Sequence, residues 1–240
     1  MRLREIYDFL DTLSPFSLQE KWDNSGLIVG NFDQEVSALH VSLDIDSQLI
    51  EQVANNSLII THHPLIFQPL SRLDFALYPA NILQKMVQKN ISLIALHTNF
   101  DKTHLNHFVA KEILGFEKIV SEGFVCYSSV TCSFETLVNR IKKALHVDIL
   151  KTTQTKEFIH TVALTTGSGG DLIGEIKADC FLSGDFKYHQ ALAAMENGLS
   201  LIDIGHYESE QYFAQAIAPH LKNLSLQVIM SNSKNPFQYK

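Results

Sequence analysis

The residues able to do chemistry fall into three short stretches. Thr61-His62-His63-Pro64 closes one apolar run, His97-Thr98-Asn99-Phe100-Asp101 closes another, and Gly205-His206-Tyr207-Glu208-Ser209-Glu210 follows a third. His206 and Glu210 stand four apart at the start of a predicted helix, so an imidazole and a carboxylate share one face, one turn apart. With His62, His63 and Asp101 they make a mixed nitrogen and oxygen set that suits zinc, iron, manganese, cobalt or nickel. Five such groups are too many for one tetrahedral ion. A carboxylate can bridge through its two oxygens, so the set points to two divalent ions a few ångströms apart. Neighbouring side chains on a strand diverge, but at a frayed strand end before a proline His62 and His63 can turn toward one pocket or flank two ions. Spacing alone also admits the plainer reading, in which these histidines are hydrogen-bonded structure at strand ends.

The elements that must position these groups alternate. Leu3, Ile6, Tyr7, Leu10 and Leu13 repeat at helical spacing before Ser14-Pro15, which predicts an amphipathic opening helix. Strands are predicted over 38–43, 58–60 and 91–96, with helices over 47–54 and 79–89 between them. After a helix at 106–114, the second half continues with a helix at 134–145, strands at 162–164, 178–182 and 199–204, a helix running to Glu196 and another from His206 to about Leu221, and a last strand at 226–230. Strands alternating with helices imply right-handed crossovers and a mainly parallel or mixed sheet, whose ligands bind beyond the carboxyl ends of the strands. The fold class expected is therefore α/β, with two similar α/β domains of residues 1–121 and 122–240. The C-terminal strand could instead return to the first sheet.

Two glycine-containing turns carry further expectations. Lys21-Trp22-Asp23-Asn24-Ser25-Gly26-Leu27 reads as a tight turn anchored by a buried Trp22, the chain's single tryptophan, or as a turn that shapes a pocket. Gly167-Ser168-Gly169-Gly170-Asp171 opens a helix and could cradle a phosphate with backbone N–H groups; the favoured reading is a tight turn capped by Ser168 or Asp171. Asp44 and Asp185, also at strand ends, are read as hydrogen-bond acceptors that orient their neighbours. His40, His104, His107, His146, His160 and His220 lie outside these stretches and read as surface or packing.

Composition bounds the class. The 240 residues are 45% hydrophobic and 19% charged, as in an ordinary globular protein, and the apolar runs are strand-sized rather than membrane-spanning. No secretory leader is evident at Met1-Arg2-Leu3-Arg4-Glu5, and Cys126, Cys132 and Cys180 fit neither a zinc ribbon nor a disulfide framework, so a cytoplasmic protein with buried thiols is expected. A net charge of −7 argues against tracking a nucleic-acid backbone and offers nothing toward a membrane.

The three stretches resemble, in order and spacing, the motifs of the Nif-three-like family, also called the GTP cyclohydrolase I type 2 family. Trp22-Asp23-Asn24-Ser25-Gly26-Leu27, Ser183-Gly184-Asp185 with His189, and Ile202-Asp203 support the resemblance, which spans nearly the whole chain. Ser25 stands where a small apolar residue is common, and Lys187-Tyr188 precedes a single His189 where some members have paired histidines. The resemblance implies a dinuclear metal centre between two α/β domains, held by His62, His63, Asp101, His206 and Glu210, with Glu210 bridging. It also implies a ring-shaped homohexamer, and a nucleotide substrate, GTP, opened by water to give formate and 7,8-dihydroneopterin triphosphate. His97 and His189 are then the candidates for proton transfer, His97 equally as a group that orients a ligand. Hydrolysis of a phosphoester or a damaged nucleotide, and a non-catalytic metal-binding ring that holds a partner, are the alternatives.

Overall fold

The computed structural model describes residues 1–231 and 233–238. In chain order the elements are α1 (Leu3–Leu13), β1 (Gly26–Val29), β2 (Leu39–Ser42), α2 (Ser47–Gln52), β3 (Leu58–Thr61), α3 (Ala80–Lys89), β4 (Ser92–Ala95) and α4 (Thr98–Phe100). A π turn (Asp101–Leu105), α5 (Asn106–Phe108) and a second π turn (Val109–Ile113) follow. Then come β5 (Val120–Glu122), β6 (Val125–Ser133), α6 (Phe134–Leu145), β7 (Lys151–Thr153), β8 (Phe158–Ser168), a 3-10 turn (Gly170–Glu175), β9 (Cys180–Gly184), α7 (Tyr188–Glu196), β10 (Ser200–Asp203) and α8 (His206–Glu210). The chain finishes with α9 (Phe213–Leu221) and β11 (Val228–Met230).

These elements form two compact α/β units. The first is Met1–Phe100 with Phe213–Lys240, and the second is Asp101–Tyr212. The division expected at 121/122 lies elsewhere, because Val120–Glu122 pairs with Val125–Ser133 as a hairpin inside the second unit. At the other end β11 pairs in parallel with β2, so the C-terminal segment belongs to the first sheet. Hydrogen bonding across sheets, invisible to local periodicity, sets both outcomes.

In the first unit the strand order is β1-β4-β3-β2-β11. β2, β3, β4 and β11 run parallel, while β1 is an antiparallel edge. Each of β2, β3 and β4 is buried throughout, as expected of strands covered on both faces. Ile45, Leu49, Ile50, Ile59, Leu65, Ile82, Met86 and Leu93 form the core between sheet and helices. On α1 the stripe of Leu3, Ile6 and Leu10 is buried.

In the second unit the order is β5-β6-β8-β9-β10-β7. Only β8, β9 and β10 run parallel, and β5, β6 and β7 are antiparallel, so this sheet is mixed. β6 and β7 were not expected from sequence, since Val125–Ser133 is polar at most alternate positions and Lys151–Thr153 is mostly exposed. Val125, Ala163, Phe181, Ala194, Leu199 and Leu201 form its core. Ser133 caps α6 by accepting from Thr136 N at 3.2 Å, and Phe134, Leu137, Ile141 and Leu145 are its buried face. The three cysteines are not disulfide-bonded; Cys126 and Cys180 are buried, Cys132 partly so. Among the described residues no helix is long and apolar enough to cross a membrane.

Candidate metal-binding groups in the two units

In the first unit, β3 ends at Thr61 and the chain turns there, so His62 and His63 lie beyond the pleat and are not forced to opposite faces. Thr61 Oγ1 donates to His63 O at 2.7 Å, which folds the dipeptide back on the strand end. The His62 and His63 ring centroids are 5.0 Å apart. β4 delivers His97 beside them, 5.1 Å from His62 and 5.6 Å from His63. Each of the three offers a ring nitrogen within 4.8 Å of the others, a separation compatible with common metal ions.

The tautomers follow from the partners. His62 Nδ1 lies 2.8 Å from Leu96 O, His63 Nδ1 2.7 Å from Asp44 Oδ1, and His97 Nδ1 2.7 Å from Asp23 Oδ1. Carbonyl and carboxylate oxygens only accept, so in each ring Nδ1 carries the proton and donates. Nε2 is then the nitrogen with a lone pair in the ring plane, the arrangement in which an outer partner orients a metal-ligating histidine.

Asp23 was not singled out by sequence. Its carboxylate is fully buried, takes the His97 N–H, accepts from Thr98 N at 3.1 Å and from the Thr98 hydroxyl, and accepts from Ser25 Oγ at 3.0 Å. Burial by itself would raise its pKa; the hydrogen bonds from His97, Thr98 and the Asn24 backbone outweigh that and hold the carboxyl well below the usual carboxylate range. Ser25, the departure from the family pattern, also accepts from His97 N at 3.2 Å. Trp22 is 55% exposed, so it does not anchor this turn by burial.

In the second unit β10 ends at Asp203, and Gly205, at φ +77°, turns the chain into α8, whose five residues run from His206 to Glu210. One turn of helix then sets His206 Nε2 2.9 Å from Glu210 Oε2. At this distance imidazole and carboxylate are in hydrogen-bond contact, and both atoms lie near enough to one another to serve one ion. His206 Nδ1 lies 2.8 Å from Asp185 Oδ2, repeating the pattern of the first unit. Asp44 and Asp185 thus hold and orient histidines, as read from sequence.

Glu210 is 2% exposed, and Asp101 7%. Both offer a carboxylate oxygen within 4.8 Å of the other, which makes Glu210 the member common to the Asp101 and His206 pairs. Asp101 opens a π turn and not a strand end as expected; it accepts from Thr166 Oγ1 at 3.4 Å. Such turns recur at functional sites.

The Gly167-Gly170 stretch serves this carboxylate pair. Gly167 has φ +64°, and a Cβ there would fall on Glu210 Oε1, so the glycine is needed where β8 passes the side chain. Its N–H donates to Ser209 Oγ at 3.0 Å, and that of Gly169 to Ser183 Oγ at 2.8 Å. These donors are engaged within the fold. Neither Ser168 nor Asp171 caps the 3-10 turn, whose N-cap is Gly169, and Asp171 accepts from Gln190 instead. His189 is exposed on the first turn of α7 and belongs to no metal-capable group among the described residues.

Comparison with known proteins places this geometry among relatives. The family model described as Duf34/NIF3 (NGG1p interacting factor 3) matches residues 1–236. A Campylobacter jejuni protein named "GTP cyclohydrolase 1 type 2 homolog" is 55% identical over 240 residues, covering 100% of both chains. A Helicobacter pylori protein named "GTP cyclohydrolase 1 type 2" is 43% identical over 238 residues, covering 98% of each. Among solved structures, hypothetical protein SA1388 of Staphylococcus aureus superposes with a TM-score of 0.88 at 26% identity, over 100% of this chain and 99% of that one. "Reduced HcgD from Methanocaldococcus jannaschii" superposes with a TM-score of 0.82 at 30% identity, over 96% and 97%.

Proposed function

The chain belongs to the Duf34/NIF3 family, and from that premise we propose that it is a metal-dependent hydrolase acting on a nucleotide, with GTP as substrate. The observation that carries this reading is the common tautomer of three histidines. His62, His63 and His97 all commit Nδ1 to an acceptor, leaving Nε2 as the ligating nitrogen in each, while His206 stands between Asp185 and Glu210. The names of the Campylobacter and Helicobacter relatives support the substrate.

In this proposal His62, His63, Asp101, His206 and Glu210 hold two divalent ions, zinc, iron, manganese, cobalt or nickel, with Glu210 contributing to both. The donor chemistry fits. Neutral imidazoles alone leave dications uncompensated, and the buried carboxylates of Asp101 and Glu210 would offset that charge. Bound there, divalent ions supply activation of water near neutral pH and positive charge for the atom being displaced. Asp44, Asp23 and Asp185 fix the ring orientations. His97, anchored on buried Asp23, is assigned proton transfer at Nε2 to the opening ring, and His189 is the second candidate. The reaction is GTP plus water giving formate and 7,8-dihydroneopterin triphosphate. A ring-shaped hexamer is part of the proposal and is tested by native mass.

The test is turnover by metal-loaded protein, read as a fluorescent pterin after oxidation and phosphatase treatment. The proposal predicts pterin from the native chain and none from His63→Ala. No turnover of GTP with both metal positions filled overturns it. Release of phosphate from a nucleotide panel in that event would assign the phosphoester chemistry instead.

A further inference from the structure

Beside the three histidines of the first unit stand two aromatic rings that the fold leaves open. Trp22 is 55% exposed and Phe67 41%, and the two stack with centroids 5.7 Å apart and planes 26° from parallel. Both meet His97 edge-on, Trp22 at 6.1 Å and 76°, Phe67 at 5.7 Å and 79°. Burial does not explain the pair, since exposed aromatic surface of this size is unfavourable in water.

The pair is held in place by the same turn that orients His97. Asn24 Nδ2 donates to Ile66 O at 2.6 Å, which ties the Phe67 loop to the Trp22 turn. Asp23, between Trp22 and Asn24, fixes the His97 ring. Three consecutive residues therefore present a ring, orient an imidazole and pin the second ring. Rings fixed in advance lose little entropy when a ligand docks.

We propose that Trp22 and Phe67 form a stacking wall for the planar heteroaromatic ring of the substrate, a purine-like base. A ring stacked on the wall lies parallel to it and nearly perpendicular to His97. Stacking tolerates many planar rings, and recognition of the ring edge falls to the neighbouring polar groups. This inference rests on the proposed nucleotide substrate and adds the part of the molecule that is gripped.

Trp22 is the chain's single tryptophan, so its emission reports the wall directly. Native protein is titrated with GTP, guanosine and inorganic tripolyphosphate, with excitation at 295 nm. GTP and guanosine are expected to quench saturably and tripolyphosphate to leave the emission unchanged. Phe67→Ala, at a half-exposed position, is expected to weaken GTP binding about 5- to 150-fold, from a stack worth about 1–3 kcal/mol. Trp22→Leu, followed by equilibrium dialysis, should give a similar loss, and Phe67→Tyr should restore most of the affinity. Equal quenching by tripolyphosphate, or a Phe67→Ala affinity within twofold of native, overturns the inference. So does Trp22 emission that is shielded from acrylamide in the free protein, because another copy then covers the wall. Saturable guanosine binding without GTP turnover sustains the wall while the cyclohydrolase reading fails; turnover with an unchanged Phe67→Ala affinity does the reverse.

Discussion

The first unit gathers three imidazoles and holds each through Nδ1, two of them on aspartates and one on a backbone carbonyl. The second gathers one imidazole and two buried carboxylates, with a glycine of β8 giving way to one of them. Both use the same device, a parallel strand that ends and releases polar side chains beyond its carboxyl end. They differ in charge. With metal bound as proposed, neutral nitrogens would set direction and geometry and the carboxylates would offset the charge, so removal of a group from either unit should fail in a different way.

The largest effect is expected at Glu210. Glu210→Gln keeps the shape and removes the charge shared by the Asp101 and His206 pairs, and should abolish both metal retention and turnover. Metal content by plasma mass spectrometry checks this, and a fully loaded, active Glu210→Gln protein would break the comparison. Gly167→Ala should come next. It places an L-residue in the left-handed region, costing about 1–2 kcal/mol of stability, and it drives Glu210 from its position. Thermal unfolding and metal content should both fall, while Gly123→Ala, also at positive φ but with open space around it, should lower stability alone.

Third is the series of orienting aspartates. Asp23→Asn, Asp44→Asn and Asp185→Asn should each weaken metal affinity or activity, within the about 10–100-fold range of outer-sphere partners. The order should follow burial, with Asp23 first, because its carboxylate is fully buried while Asp44 and Asp185 are about half exposed. Equal effects at all three would show that burial does not set the strength of the hold.

How much of this could be read from the chain depends on how far apart the partners lie. His62, His63, His206 and Glu210 as proposed ligands, and the orienting roles of Asp44 and Asp185, could be read because strand ends and i,i+4 spacing are local, whereas Asp101 sits in a π turn that no strand end marks. Asp23 escaped because its partner His97 is 74 residues away, and because a Trp-Asp-Asn-Ser-Gly run reads equally well as an ordinary turn. Gly167 read as part of a tight turn, with a phosphate cradle as the lesser reading, since only the approach of β8 to α8 shows that it faces Glu210. The antiparallel strands β6 and β7 lack apolar alternation, and the true division of the chain depends on β11 joining β2, a pairing no local pattern encodes.

The smallest effect separates the scaffold of the second unit from its site. Asp179 accepts from Lys156 Nζ at 2.5 Å and from the backbone N–H groups of His160 and Thr161. Burial would raise its pKa, but these hydrogen bonds and the Lys156 charge bring it down to about 2. A depressed folded-state pKa contributes stability above the unfolded value near 4 that is lost as pH falls toward about 2. The contribution is at most about 2–3 kcal/mol and is reduced by solvent screening at Lys156. Asp179→Asn should flatten the stability profile in that window and leave metal content at neutral pH unchanged.

Metal-edge X-ray absorption on the metal-loaded native protein tests the proposed pair of ions. A nitrogen and oxygen shell at about 2.0–2.2 Å with imidazole back-scattering is expected, with a metal–metal vector of about 3.5–4 Å. A single isolated ion, a sulfur shell, or a spectrum without imidazole scattering would contradict it.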